Sequence, residues 1–277
     1  MTPDEYCQQK AASSGSSFYY SFLFLPSERR RAITALYAFC REVDDVVDEA
    51  QEPQLAAAKL AWWRAEVANL FAGNPQHPVT KALAVFKDSF SIRQERLNEI
   101  IDGMEMDLTQ TRYLDWAGLE RYCYRVAGVV GLLAAGIFGY RDARTLDYAR
   151  SLGIAFQLTN IIRDVGEDAR KNRIYLPMAD MQQFGVPAAD ILNSRQSAEF
   201  EKLMAFEAAR ARTHYEEAMR ALPREDRRAQ RPGLVMAAIY RTLLDEIERD
   251  GFRVLAQRTS LTPLRKFWIA WKTWVTT

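Results

Sequence analysis

Apolar residues recur at the helical period through nearly the whole of this chain. Between residues 27 and 49, one apolar stripe comprises Ile33, Leu36, Cys40, Val43 and Val47. Alternating strand patterns flanked by turn residues do not occur in the sequence, so the chain is expected to bury its apolar residues by packing helix against helix. Besides 27–49, the pattern predicts helices at about 54–72, 78–90, 93–110, 114–138, 142–168, 196–222, 232–255 and 263–274.

The breaks between these segments are short. Glycine and proline mark them at 73–75, 139–140, 177, 185–187, 223 and 232–233. None of them is a long linker, and 277 residues are enough for one large core. We therefore expect a single all-α domain that spans residues 1–277.

Composition argues against several functions. The net charge of +1 disfavours a general nucleic-acid binder. Three widely spaced cysteines without a C-x-x-C pair, and only two histidines, argue against a zinc site or a Ser-His-Asp triad. The first ten residues lack a signal-peptide core, and no apolar run reaches the roughly 18 residues of a membrane span. The expected location is the cytoplasm.

Two polar stripes end in aspartates. The first consists of Tyr37, Arg41, Asp44 and Asp48, and the second of Gln157, Asn160, Asp164 and Asp168. Residues spaced three, four, seven and eleven apart share one face of an α-helix, so each stripe stacks two carboxylates about 6 Å apart. Because like charges at this spacing destabilise a helix, divalent cations are the most direct explanation for both stripes.

Carboxylate clusters select hard cations such as Mg²⁺, or Mn²⁺ in its place, and Mg²⁺ commonly bridges to substrate phosphates. Fixed positive charge comes from Arg41, Arg163, Lys171 and Arg173. Bare aspartates would repel a diphosphate, whereas metal ions reverse that interaction and stabilise a departing diphosphate. The pattern suggests ionisation of an allylic diphosphate. Aromatic rings would surround the resulting cation, and the candidates are Phe18, Tyr19, Phe22, Tyr37, Tyr122 and Phe156.

Other interpretations stay open on these residues alone. A single D-x-x-x-D on a helix is more often a solvated face than a metal site. A helical scaffold that binds partners through acidic faces, or a non-catalytic prenyl-lipid binding protein, are the competing classes. Gly128, Gly131 and Gly136 lie in one predicted helix, where they fit either close helix packing or a wall cut back for a long apolar ligand.

Six stretches together resemble the squalene/phytoene synthase family, the head-to-head prenyl transferases. They are the aromatic segment 18–26, the run 35–48 with its Asp44-Asp45-Val46-Val47-Asp48 end, the segments 103–108 and 122–131, the run 157–168, and the loop 170–177. The resemblance covers almost the whole chain. It implies a single-domain isoprenoid-synthase helical bundle with a central active-site cavity.

The resemblance also implies roles for individual residues. Magnesium and diphosphate would be bound by Asp44, Asp48, Asn160, Asp164 and Asp168. Diphosphate contacts would come from Arg41, Gln157, Arg163 and Arg173, under a flap formed by residues 171–175. Active-site tyrosines would be Tyr37, Tyr122, Tyr175 and Tyr240. Gly128 and Gly131 would border the prenyl channel, and Phe18 and Phe22 would limit its length.

Within the family, the compact form and the start at residues 6–10 resemble presqualene diphosphate synthases of bacterial hopanoid pathways. This implies that two farnesyl diphosphates condense without NADPH, and that downstream isoprenoid enzymes are possible partners. The first alternative is a phytoene synthase that uses two geranylgeranyl diphosphates. The second is an NADPH-dependent squalene synthase.

The C-terminal segment forms a separate hypothesis. Apolar residues share one predicted helical face, namely Leu264, Phe267, Trp268, Trp271, Trp274 and Val275. Arg265, Lys266 and Lys272 lie nearby. A basic, Trp-rich amphipathic helix suits peripheral contact with a membrane surface, and docking on the protein's own core is the alternative.

Overall fold

In the described parts of the chain, the computed structural model consists of helices and short connections. It describes residues 1–13, 21–22, 24–48 and 52–277. The α-helices are α1 Pro3–Ser13, α2 Ser27–Asp48, α3 Pro53–Phe71, α4 Pro78–Phe86, α5 Gln94–Thr109, α6 Trp116–Cys123, α7 Val129–Phe138, α8 Arg144–Arg170, α9 Met178–Phe184, α10 Ala188–Leu192, α11 Ala198–Ala221, α12 Arg231–Arg249 and α13 Pro263–Thr276. These described ranges hold no β-strand, and one isolated bridge joins Arg112 and Ile174. The all-α prediction is confirmed.

The helices differ from the predicted ones mainly at their ends. The helix predicted at 78–90 ends at Phe86. The segment predicted as 232–255 ends at Arg249, because Gly251 and Phe252 both adopt positive φ angles. Helices α1, α9 and α10 were not predicted, since their few apolar residues give no clear helical stripe. Of the aromatic segment 18–26, Phe18 and Tyr19 lie outside the described residues, whereas Phe22 is described.

Side-chain caps and prolines begin several helices. The Asp115 carboxylate accepts a hydrogen bond from the Gly118 amide at 2.9 Å, which caps α6. The Ser197 hydroxyl accepts one from Phe200 at 3.1 Å and caps α11. Such caps satisfy amide groups that have no partner inside the helix. They fix the starting point of each helix and hence the direction in which its side chains project.

The buried apolar side chains form two cores. The first is formed by α1–α5 with α7, and the second by α6 and α8–α13. The residues between α6 and α7, which include Tyr124 and Val126, pack against both cores. Helices α2, α7, α8 and α12 face one another around a cavity at the junction of these cores.

A π-helical turn, Tyr124–Gly128, joins α6 to α7 within one continuous helix. This helix, Trp116–Phe138, is long and apolar enough to cross a membrane, although the sequence pattern did not single out such a span. Half of its most apolar window is buried in the bundle, as in the core helix of a globular protein. Turns of the π type insert one extra residue and often occur at functional sites.

The loop after α8 is anchored to the segment before α6. The amides of Ile174 and Met178 donate hydrogen bonds to the carbonyls of Thr111 and Tyr113, at 3.0 and 2.8 Å. The Arg112 guanidinium also donates to the Asn172 carbonyl at 2.7 Å. Asn172 has a φ of 57°, a left-handed conformation that asparagine tolerates better than most residues. The turn therefore directs Lys171 and Arg173 back towards α2.

Candidate active site

The aspartates at the end of α2 have different partners. Arg41 donates hydrogen bonds to Asp44 at 2.6 Å and to Asp45 at 2.5 Å. Asp45 also pairs with Lys10 of α1 at 2.8 Å. Asp45 therefore ties α2 to α1, whereas Asp44 belongs to the polar stripe predicted from the sequence.

On α8, Asp164 is held by two arginines. It accepts hydrogen bonds from the Nε atoms of Arg163 at 2.7 Å and Arg258 at 2.9 Å. Arg258 also lies 3.5 Å from Glu167. Arg258 belongs to the segment between α12 and α13. It was not predicted as a site residue, because no helical pattern relates residue 258 to α8.

The two stripes meet through the loop after α8. Lys171 Nζ and Arg173 Nη1 lie 3.3 and 3.4 Å from Asp48 Oδ1. Because this loop continues directly from Asp168, the ion pairs bring the end of α2 to the end of α8. The structure thus brings together the carboxylates and cations that the sequence suggested for a diphosphate site.

Burial affects the charge of these carboxylates unequally. Burial raises the pKa of Asp44 to about 6, with Asp48 and Asp45 adding to the rise and Arg41 opposing it. Burial, together with Asp164, raises the pKa of Asp168 to about 7. Burial acts on Asp164 as well, but Arg163 and Arg258 hold its pKa below the ordinary value. The negative charges of Asp44 and Asp168 are thus less well compensated than that of Asp164.

A further carboxylate, Asp107, lies between the stripes. It is 8% exposed and accepts hydrogen bonds from the hydroxyls of Tyr122 at 2.9 Å and Tyr175 at 2.8 Å. Burial raises its pKa to about 6, and its charge raises the pKa of Asp44 and Asp168. The segment 103–108 contributed to the family resemblance, but Asp107 was not identified as a site residue. Its spacing from Asp102 gives no matching stripe.

The donor set suits Mg²⁺ or Mn²⁺, which prefer oxygen ligands. The Asn160 Oδ1 atom is buried without a hydrogen-bond partner in the described structure, and it belongs to the α8 stripe. No group of three or more acidic, histidine or cysteine side chains forms a preassembled metal site among the described residues. Mg²⁺ is commonly bound by one or two carboxylates, and phosphate oxygens and water complete its shell.

An apolar cavity of about 170 Å³ extends from the polar stripes into the bundle. Tyr37, Gln157 and Asn160 line it together with apolar residues that include Phe22 and Phe138. Tyr122 and Tyr175 do not line it and face Asp107 instead. The Tyr240 ring lies 4.9 Å from the Phe156 ring, which does line the cavity.

Glycines on α7 and α8 allow these two helices to pack closely. A Cβ atom on Gly131 would lie 2.3 Å from the Ala149 carbonyl oxygen, and one on Gly153 would lie 2.4 Å from that of Ala127. Gly131 also lines the cavity, so both interpretations of this glycine apply. Gly128 lies against Tyr124 and α8 and is not a lining residue.

Comparison with known proteins identifies the family. The model for squalene/phytoene synthases matches residues 11–265. The chain therefore belongs to the squalene/phytoene synthase family, whose members are head-to-head prenyltransferases. A solved dehydrosqualene synthase superposes with a TM-score of 0.87 at 30% identity, over 99% of this chain and 96% of that one. The isoprenoid-synthase fold is thereby confirmed.

Similarity to individual relatives corrects the expected product. A 15-cis-phytoene synthase from Synechocystis is 36% identical over 96% of this chain and 84% of its own length. One from Synechococcus elongatus is 35% identical over 95% and 89%, respectively. The first expectation, presqualene diphosphate formation from farnesyl diphosphate, is therefore wrong. The relatives support the alternative, phytoene synthesis, and the squalene and hopanoid assignments are not confirmed.

Proposed function

We propose that this protein is a phytoene synthase, which condenses two geranylgeranyl diphosphates head to head. The observation that carries the proposal is a cluster of acidic and cationic side chains on α2, on α8 and in the loop after α8. It begins one helical turn beyond Cys40 and Asn160, which line an apolar cavity. Similarity to cyanobacterial phytoene synthases supports the choice of substrate. The proposed location is the cytoplasm.

The proposed reaction balances without a reductant. Loss of diphosphate from one molecule leaves an allylic cation, which the 2,3-double bond of the other attacks. Loss of a proton closes a cyclopropane, and loss of the second diphosphate and a second proton gives the hydrocarbon. Two C20 diphosphates thus yield a C40 triene-centred chain, two diphosphates and two protons. No hydride enters, so NADPH is not a co-substrate in this proposal.

The charged side chains of the two stripes would act on the diphosphate groups. Mg²⁺ held by Asp44, Asp48, Asp164 and Asp168, with Asn160, would neutralise the departing diphosphate. Arg41, Arg163, Lys171 and Arg173 add fixed positive charge, and arginine can grip phosphate oxygens in pairs.

Next to the charged stripes, aromatic rings would surround the allylic cation, which forms at the carbon that loses diphosphate. Tyr37 and Phe156 line the cavity, and Tyr240 contacts Phe156 from behind. Ring faces attract a cation, and their apolar bodies exclude the water that would quench it. The Tyr122 and Tyr175 hydroxyls hold Asp107 in place between the stripes, which orients its charge.

The apolar wall of the cavity continues along α8. Its lining residues there extend from Tyr148 to Asn160, a rise of about 18 Å at about 1.5 Å per residue. A wall of this extent suits a long prenyl chain, while the similarity to phytoene synthases supports the C20 length.

The test is a product assay with purified protein and Mg²⁺, with and without NADPH. Geranylgeranyl and farnesyl diphosphates are supplied separately and in competition, and hydrocarbons are identified by mass spectrometry. We expect phytoene from geranylgeranyl diphosphate whether or not NADPH is present. Asp44→Asn serves as the inactive enzyme, and Asp45→Asn as its matched neighbour.

Several outcomes would overturn this assignment. Squalene that appears only with NADPH would identify a squalene synthase. Preferred turnover of farnesyl diphosphate would exclude the C20 assignment. Absence of diphosphate release from either substrate, with the protein folded and Mg²⁺ present, would favour a non-catalytic prenyl-lipid binding protein.

A further inference from the structure

The C-terminal helix α13 exposes an outer apolar stripe, which consists of Leu264, Phe267, Trp268, Trp271 and Val275. Trp268 is 59% exposed and Trp271 is 44% exposed, and their rings contact each other at 5.2 Å. Soluble proteins seldom expose adjacent large aromatic side chains without a binding role.

The opposite face of α13 holds the helix on the bundle. Ala270 is buried, and Trp274 packs against Phe24 at 5.1 Å and under the Arg231 guanidinium at 5.5 Å. Trp274, which the sequence pattern assigned to the same face as Trp268 and Trp271, therefore faces inward. Helix α13 is therefore docked on the core while its aromatic stripe stays exposed. The stripe can contact a partner although the helix remains in place.

The charge of α13 indicates which kind of partner its outer apolar stripe would contact. Helix α13 contains Arg265, Lys266 and Lys272 and no acidic residue. Glu246 pairs with Arg265 at 2.6 Å, while Lys272 is exposed beside the stripe. A second copy of the chain that met this face across a two-fold axis would bring basic residues against basic residues. An anionic lipid surface instead attracts these charges, and tryptophan favours the interface between lipid and water.

The stripe lies outside the wall of the cavity. Helix α13 packs along α12, which lines the cavity through Pro232, Gly233 and Met236. Its first turns lie near the diphosphate end, where burial, together with the charges of Arg163 and Arg258, lowers the pKa of Lys266. Its last turns lie near the apolar end, where Trp274 contacts Arg231, the neighbour of the lining residue Gln230.

We propose that the outer stripe of α13 docks the protein on an anionic membrane surface. Bound in this way, α12 and the cavity behind it lie next to the bilayer, so an apolar product has a short path to lipid. The link to product release rests on the proposed function, whereas membrane binding itself does not.

The test is flotation of the full-length protein with phosphatidylcholine vesicles that contain no or about 30% phosphatidylglycerol. We expect binding to the anionic vesicles and weak binding to the neutral ones. Trp268→Ala/Trp271→Ala should lose about tenfold or more in affinity. Lys272→Gln should lose about fivefold on anionic vesicles only, since one lysine near such a surface contributes about 1 kcal/mol.

Trp62→Ala is the matched control, because Trp62 is 49% exposed on α3 and lies in the other core's helices. It should bind vesicles as the unchanged protein does. Equal binding by the Trp268→Ala/Trp271→Ala protein would overturn the proposal, as would absence of vesicle binding by the unchanged protein. A concentration-dependent dimer that only the double variant loses would assign the stripe to a second copy instead. Circular dichroism confirms that each variant is folded, and none of these results depends on enzyme activity.

Discussion

The two aspartate stripes look alike in sequence but receive their positive charge from different places. On α2, Arg41 is shared between Asp44 and Asp45, and Asp48 is paired by the loop that follows α8. On α8, Asp164 is paired by its neighbour Arg163 and by Arg258 from the C-terminal segment. The cations that reach both stripes from outside their helices thus come from the C-terminal half of the chain.

This difference separates carboxylates that occupy equivalent places in the pattern. The pKa of Asp164 is lowered although it is buried, because two guanidinium groups face it. Burial raises the pKa of Asp44 and Asp168, and the charge of Asp107 adds to both rises, while Asp164 adds to that of Asp168. The spacing of aspartates identifies a candidate metal site, but tertiary neighbours decide which carboxylate most requires a divalent cation.

The largest expected effect follows from neutralising these two carboxylates. Asp44→Asn and Asp168→Asn should each lower turnover by at least about 100-fold, because each removes preorganised charge at the departing diphosphate. Initial rates at saturating Mg²⁺ measure this. Asp45→Asn, which changes the residue next to Asp44, should retain activity within a few fold, since Asp45 pairs with Lys10 of α1 and Arg41 keeps its hydrogen bond to Asp44. Equal losses in Asp44→Asn and Asp45→Asn would remove the distinction between them.

A second expected effect concerns Asp107, the carboxylate shared between the stripes. Tyr175→Phe should lower the free energy of unfolding by about 1.5–3 kcal/mol, because it removes a buried hydrogen bond to a carboxylate. Chemical denaturation without added metal measures this change. Tyr140→Phe, at a tyrosine that is 41% exposed, should stay within about 0.5 kcal/mol. An equal change in both variants would exclude a special role for the Asp107 hydrogen bonds.

Local periodicity was enough to predict the long helices and both stripes, because residues on one helix face are fixed by their spacing. It assigned Asp44 and Asp48 to one helix and Asp164 and Asp168 to another, as the structure has them. It also indicated that two such helices share a cavity. These features depend on contacts within a single helix or on the resemblance of whole motifs.

The residues that were missed act through contacts distant in sequence. Arg258 reaches Asp164 across 94 residues, and Asp107 meets Tyr175 across 68. Trp274 turned inward because Phe24 and Arg231 pack against it, although its helical spacing matched the exposed face. The choice of product failed for a related reason, since motifs shared by the family bind diphosphate and do not determine the length of the prenyl cavity.

A smaller effect is expected from the cations that distinguish the stripes. Arg258→Gln should lower kcat/KM at limiting Mg²⁺ by about tenfold, because Asp164 loses a guanidinium that glutamine does not replace. Lys171→Gln should cost only a few fold, because Lys171 is half exposed and its ion pair with Asp48 is screened by solvent. Steady-state kinetics over a range of Mg²⁺ concentrations measures both. The reverse order would mean that the α2 stripe depends more strongly on its outside cation than the α8 stripe does.

The smallest expected effect tests whether a raised pKa marks the site or follows from burial alone. Burial raises the pKa of Glu207 on α11 to about 7, although Arg210 lies 2.6 Å away. Because this pKa lies above the ordinary glutamate value of 4.5, Glu207 binds its proton more tightly in the folded protein. Its contribution to stability is present at acidic pH and is lost as the pH rises from about 5 to 7, by at most about 1.4 kcal/mol per pH unit.

In excess Mg²⁺, the stripe carboxylates should remain ionised across this range, so Glu207 and Asp107 should account for most of the remaining fall in stability. Glu207→Gln should then flatten the fall in the free energy of unfolding between pH 5 and 7, as measured by urea denaturation. Glu199→Gln, at an exposed position on the same helix, is the control and should leave the slope unchanged. If Glu207→Gln leaves the slope in excess Mg²⁺ unchanged, Glu207 does not contribute to the fall, and the carboxylates of the active site, Asp107 among them, account for it.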